Sequence, residues 1–259
     1  MMSTSDSLIV ERAGNVLRLT INRPEKRNAI NDEAILALTA AFDDASRDRD
    51  IRAIVLSGTG DKAFCSGADL GSGVFEFDYA QPISNYANLL RAGRRATVPV
   101  IGRINGFCLA GGMGLLAICD MAVAASTARF GLPEVKVGLF PMQVAALLQS
   151  MLPARKFAEM CYTGEMLCAE EALACDLVNY VAPPEELDAK TDWLVERVVS
   201  KSPTAIRRGK YALAATSGMT FEQSIAFLES QIGLMPQTED AKEGLAAFAE
   251  KRAPDWTGK

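Results

Sequence analysis

Apolar positions in the first sixty residues switch between two periods. Residues 8–10 and 16–21 (VLRLTI) read as two strands joined at Gly14-Asn15, a hairpin signal. A polar loop, Arg23-Pro24-Glu25-Lys26-Arg27-Asn28, follows. Asn31 then stands as a helix N-cap with Asp32 and Glu33 in the first turn, and Ile35, Leu38, Ala41 and Phe42 recur at helical spacing to about Arg47. Residues 51–56 (IRAIVL) form a short run of buried-strand type, closed by Ser57-Gly58-Thr59-Gly60. Strand, helix and strand in that order point to crossover units and the α/β class. The spacing predicts further strands over 98–104 and 121–125 with a helix over 111–118 between them. From Leu187 the pattern is only helical, with helices expected over 187–199, 205–215, 221–234 and 238–251. The division this suggests is a β/α body over residues 1–196 and a helical region over 197–259.

Composition changes this picture at three points. The 259 residues are 49% apolar and 23% charged, as in ordinary globular proteins, and a net charge of −5 argues against nucleic acid as a partner. There is no histidine, which removes Ser-His-Asp triads, Cys-His pairs and imidazole metal sites. Proton transfer near neutral pH then falls to a carboxylate, Cys, Lys or Tyr of shifted pKa. Six cysteines, at 65, 108, 119, 161, 168 and 175, show neither a C-x-x-C pair nor metal-ligand spacing, so reduced thiols and no metal are expected. The start carries no basic stretch followed by an apolar one. The longest uncharged apolar run, residues 106–119, is too short to cross a membrane. A cytoplasmic protein without a membrane partner is the expectation.

Four segments carry candidate chemistry. Lys62-Ala63-Phe64-Cys65-Ser66-Gly67-Ala68-Asp69-Leu70 follows a strand, and its small residues allow a ligand close to the backbone. Asn105-Gly106-Phe107-Cys108-Leu109-Ala110-Gly111-Gly112-Met113-Gly114 sets three glycines within four positions at a helix start. They suit either amides facing a ligand oxygen or close packing of helix on strand. Phosphate-loop and dinucleotide motifs do not fit. In Phe130-Gly131-Leu132-Pro133-Glu134-Val135, Glu134 lies among apolar neighbours that would raise its pKa, but Pro-Glu also suits a helix N-terminus, which residue chemistry alone favours. The last segment, 243–252, is a helix with a basic end.

Together LTINRPEKRNAI, KAFCSGADL, INGFCLAGGMGLLAICDMAVAAS, FGLPEVKVGLFP and EGLAAFAEKRAPDW resemble the enoyl-CoA hydratase/isomerase (crotonase) superfamily, from about residue 8 to 256. The resemblance implies an α/β spiral of β/β/α turns, followed by a helical C-terminal region that builds a homotrimer, often paired into a hexamer. It implies that the amides of Ala68 and Gly111 form an oxyanion hole for an acyl-CoA thioester. Such preformed donors are each worth roughly 10²–10³ in rate. Glu134 is the implied acid/base. The first of the family's two glutamates falls at Gly114, a departure from the pattern, and the aspartate of related dienoyl-CoA isomerases and dehalogenases falls near Met142. Coenzyme A contacts carry over to Lys26, Arg27, Ala68, Asp69 and Leu70, with Phe248 and Lys251 reaching the nucleotide of a neighbouring subunit. Residues 73–88 would shape the acyl pocket, and Glu76 or Asp78 there could supply a second carboxylate. The activity implied first is hydration of a 2-enoyl-CoA by a lyase of fatty acid metabolism, with no cofactor beyond the coenzyme A of the substrate. The alternatives are a 3,2-enoyl-CoA isomerase and, in another class, a non-catalytic acyl-CoA-binding protein.

Overall fold

The computed structural model describes residues 5–71, 80 and 82–259. β1 (Leu8–Ala13) and β2 (Val16–Ile21) form the antiparallel hairpin, and α1 (Asp32–Arg47) starts where expected, with the Asn31 side chain accepting from the Ala34 amide at 3.0 Å. Three turns of a spiral follow. Each supplies one strand to a large sheet, then a three-residue strand to a small sheet. The first turn is β3 (Ala53–Gly58), β4 (Ala63–Cys65) and α2 (Asn85–Arg95). The second is β5 (Val100–Ile104), β6 (Phe107–Leu109) and α3 (Gly111–Ala117). The third is β7 (Met121–Ala125) and β8 (Arg129–Gly131), then a 3₁₀ turn over Pro133–Val137 and α4 (Met142–Leu148).

The chain closes both sheets with α5 (Ala154–Thr163), β9 (Met166–Cys168), α6 (Ala169–Ala174) and β10 (Tyr180–Ala182). The six-stranded sheet runs β1-β2-β3-β5-β7-β10, parallel apart from the β1/β2 pair, and the four-stranded sheet runs β4-β6-β8-β9. Both faces of the large sheet are covered, as parallel strands require. Ile54, Leu56, Val100 and Ile104 join the main core with α1 and α3, while Ala53, Val55, Ile101 and Val123 pack on α7 (Leu187–Val199). The division expected at residue 196 therefore falls inside α7, whose Val195 and Val199 belong to that same sheet face.

α8 (Pro203–Thr216), α9 (Phe221–Ile232) and α10 (Glu239–Glu250) complete the chain. Asp240 ties this region together. Its carboxylate accepts from Ser202 Oγ at 2.8 Å, Thr204 N at 3.2 Å, Thr257 N at 2.9 Å and Gly258 N at 3.0 Å. Burial pushes the Asp240 pKa up, and these donors outweigh it, so the group is held below the usual carboxylate range. Among the described residues no helix is long and apolar enough to cross a membrane.

Candidate active site

Two buried asparagines converge on residues 59–63 of the first spiral turn, Asn28 from the loop that precedes α1 and Asn105 from the second turn. Asn28 donates to the carbonyls of Thr59 at 3.0 Å and Ala63 at 2.7 Å, and Asn105 donates to those of Gly60 at 2.7 Å and Ala63 at 3.0 Å. The Ser66 amide donates to the Arg27 carbonyl at 3.1 Å. Residues 66–70 are thereby laid beside Ile30, whose amide donates to Gly67 O at 2.8 Å and whose carbonyl accepts from Asp69 N at 2.9 Å. These bonds alternate, so the Ala68 amide between them is left out of the ladder and Ala68 faces a cavity of about 620 Å³.

Gly111, the first residue of α3, lines the same cavity, and its amide has no place in the helix's own bonding. The two segments approach closely. Gly67 has φ +104°, and a Cβ there would sit 2.8 Å from that of Ala110 and 3.4 Å from Gly111 N. Ala110 itself has φ +50°, a strained value for alanine that turns the chain from β6 into α3. The glycine run thus serves several purposes: a Cβ on Gly112 would overlap the Cys65 carbonyl, one on Gly114 would overlap the Tyr86 hydroxyl, and Gly111 presents its amide to the cavity.

Glu134 follows Pro133 in the 3₁₀ turn, so the helix-start reading of Pro-Glu is correct as local structure. Its side chain also lines the cavity, where the atom Oε2 is buried without a hydrogen-bond partner among the described residues. Burial raises its pKa above the usual glutamate value, opposed only by its own backbone amide. Around it the cavity is largely apolar, with Ile30, Ile35, Leu70, Ile83, Phe140 and Val144 among its walls. Lys136 stands at the cavity but is paired with Glu165 at 3.1 Å, and Asp32 is exposed at the rim.

Of the other residues singled out in the sequence, Leu70 and Met142 line the cavity, whereas Lys26, Arg27 and Asp69 are not part of its lining, and Lys26 and Arg27 are exposed. Asp69 is held by Arg23 at 2.8 Å, and this hydrogen bond lowers its pKa. Lys26 offers its carbonyl to Ser66 Oγ at 3.3 Å. Phe248 and Lys251 lie on α10 and its C-cap, outside the cavity of their own chain, with Phe248 85% exposed. Glu76 and Asp78 lie outside the described residues. From the segment expected to shape the pocket, Ile83, Ser84, Asn85 and Tyr86 line it. Tyr86 escaped the sequence reading because no motif marks it; its placement depends on α2 packing against α3. The two asparagines could have been found, since both sit in the matched stretches and a buried amide among apolar residues needs several partners.

Outward amides, one desolvated carboxylate and apolar walls form a setting that can hold charge on a carbonyl oxygen and move a proton at a nearby carbon. The stacked β/β/α turns with a helical tail define the class of fold. The chain matches the family described as Enoyl-CoA hydratase/isomerase over residues 11–259 and belongs to it. It is 34% identical to (E)-benzylidenesuccinyl-CoA hydratase of Thauera aromatica, over 96% of this chain and 98% of that protein. It is 32% identical to crotonyl-CoA hydratase of Syntrophomonas wolfei, over 98% and 99% of the two chains. The crystal structure of an enoyl-CoA hydratase from Mycobacterium smegmatis superposes with a TM-score of 0.89 at 33% identity, over 96% of this chain and 98% of that one.

Proposed function

We propose that the protein hydrates 2-enoyl-CoA thioesters with Glu134 as its single acid/base. The observation that carries this reading is Glu134, with a buried oxygen that has no partner among the described residues, lining the same cavity as Ala68 and Gly111 with their outward amides. The thioester oxygen is bound by the two amides. Glu134 takes a proton from water as the water oxygen bonds to C3. The C2=C3 electron pair moves to the thioester oxygen as an enolate, and the proton on Glu134 is then delivered to C2. The amides act where charge develops, which is the form of stabilisation that raises kcat. Family membership and the hydratase relatives support the same reaction class.

A second reading, 3-to-2 double-bond isomerisation, is favoured by one observation: the room a side chain at Gly114 would need is filled by Tyr86, so no second carboxylate can stand there. One carboxylate suffices to carry a proton between C2 and C4. Homotrimeric or hexameric assembly is part of the proposal. It is supported by exposed apolar residues of the helical tail, including Phe221, Ile232, Leu245 and Phe248, and it would bring Phe248 and Lys251 to a neighbour's nucleotide. The test is optical. Loss of the conjugated thioester absorbance of crotonyl-CoA establishes hydration. A gain of absorbance from a 3-enoyl-CoA, with crotonyl-CoA untouched, establishes isomerisation. Tight CoA-thioester binding with neither change overturns both in favour of a binding protein.

A further inference from the structure

The Tyr86 hydroxyl fills the space that a side chain at Gly114 would need. It donates to the Gly111 carbonyl at 2.6 Å, and its ring carbon Cζ would lie 3.3 Å from a Cβ on Gly114. Tyr86, Gly111 and Glu134 all line one cavity. Burial, with lesser contributions from Cys65, Cys108 and Glu134, keeps the phenol protonated far above neutral pH. Its proton is committed to Gly111, but a hydroxyl oxygen retains acceptor capacity toward the cavity.

We propose that Tyr86 is a positioning residue for the water that adds to the enoyl thioester, accepting one hydrogen of that water while Glu134 accepts the other. This rests on the hydratase reading. In the step, the hydrogen facing Glu134 moves to its carboxylate and the water oxygen bonds to C3. The hydrogen facing Tyr86 stays on the new hydroxyl group, and Tyr86 itself neither gains nor loses a proton. With two acceptors holding both hydrogens, a lone pair of the water is aimed at the carbon. That orientation is what a lone carboxylate cannot supply. The competing role is narrower: Tyr86 braces only the first turn of α3, and so the amide of Gly111.

Tyr86→Phe separates these roles. Two readouts are needed: crotonyl-CoA hydration, and exchange of the C2 hydrogens of butyryl-CoA in heavy water, which uses the amides and Glu134 but no added water. The expected result is a fall in hydration kcat of about 10–100-fold, with KM and the exchange rate each within about threefold of the parent. Hydration within about twofold of the parent overturns the proposal. A parallel loss of exchange overturns it too, and assigns Tyr86 to bracing α3. If the phenylalanine variant does not fold, Gly114→Ala displaces the hydroxyl without deleting it, and the same split between hydration and exchange is expected. A parent protein that never hydrates crotonyl-CoA overturns the hydratase reading and this inference together. Hydration unchanged by Tyr86→Phe overturns this inference alone.

Discussion

Glu134 and Asp240 are the same chemical group put to opposite ends. Asp240 is almost fully buried, yet both its oxygens are satisfied by donors from residues 202, 204, 257 and 258, and its pKa is held down. Glu134 is less buried, but one oxygen has no partner among the described residues and its pKa is pushed up. A carboxylate that fastens structure is surrounded by donors on the protein itself. Under the proposed function Glu134 is left short of them, at some cost in stability, so that a substrate or water can complete its bonding. Asp240 fastens the helical tail, and Glu134 lines the cavity between the spiral's third turn and α3.

The largest expected effect breaks the comparison on the reactive side. Glu134→Gln keeps shape and CoA binding, and steady-state assays should show kcat reduced by about 10²–10⁴-fold. A near-normal kcat on the true substrate would remove Glu134 from the chemistry. On the structural side, Asp240→Ala strands several buried donors. The thermal midpoint should fall by about 5–10 °C by scanning calorimetry, with kcat of the folded protein within about twofold.

Placing a second carboxylate in the cavity sharpens the contrast. Gly114→Glu alone collides with Tyr86 and should lower activity and solubility. Combined with Tyr86→Ala it gains room, and hydration by the double variant should exceed that of Gly114→Glu. The next measurement is the pH dependence of stability, where the two groups have opposite signs. Glu134, raised in the folded state, favours the fold when protonated, so its contribution is present below its unfolded pKa and is lost as pH rises through its folded pKa. Asp240, lowered, contributes above the ordinary carboxylate range and is lost as pH falls through its folded pKa. Denaturant midpoints across pH, for the parent against Glu134→Gln and Asp240→Asn, should differ with slopes of opposite sign. The acid limb of kcat/KM should likewise sit above the usual glutamate value. The smallest effect concerns Lys251, at the C-cap of the helix that carries Asp240. Lys251→Ala should raise KM for CoA thioesters by about 3–10-fold while leaving kcat nearly unchanged, if the tail serves a neighbour's nucleotide.

These contrasts were unevenly visible in the sequence. α1 follows from its cap and periodicity and α7 from periodicity alone, while α8 begins at Pro203, two residues before the helix expected from 205. The small sheet does not follow, because β4, β6, β8 and β9 have three residues each, too few for alternation to show. α2, α4, α5 and α6 were also unread; α4 and α6 span barely two turns. The roles proposed for Glu134, Ala68 and Gly111 rest on the resemblance, since residue chemistry alone favours a plain helix start for Glu134. The partners of Asp240 and the seat of Tyr86 arise from residues far apart in the chain, which periodicity cannot bring together.

Cys65 gives the packed backbone behind the cavity a reporter of its own. Its thiol is fully buried beside Gly67, whose amide lies 3.5 Å from the sulfur, and burial pushes its pKa up to about 12. Thiol reagents act on thiolates they can reach, so in the closed molecule this sulfur is silent on both counts. Its modification requires the wall between β4 and α3 to come apart. The half-buried Cys168 and Cys175 offer a reference for ordinary exposure. The ratio of the two labelling rates is therefore a clock for the opening of the wall that carries the cavity's outward amides, set by local unfolding and readable without any substrate.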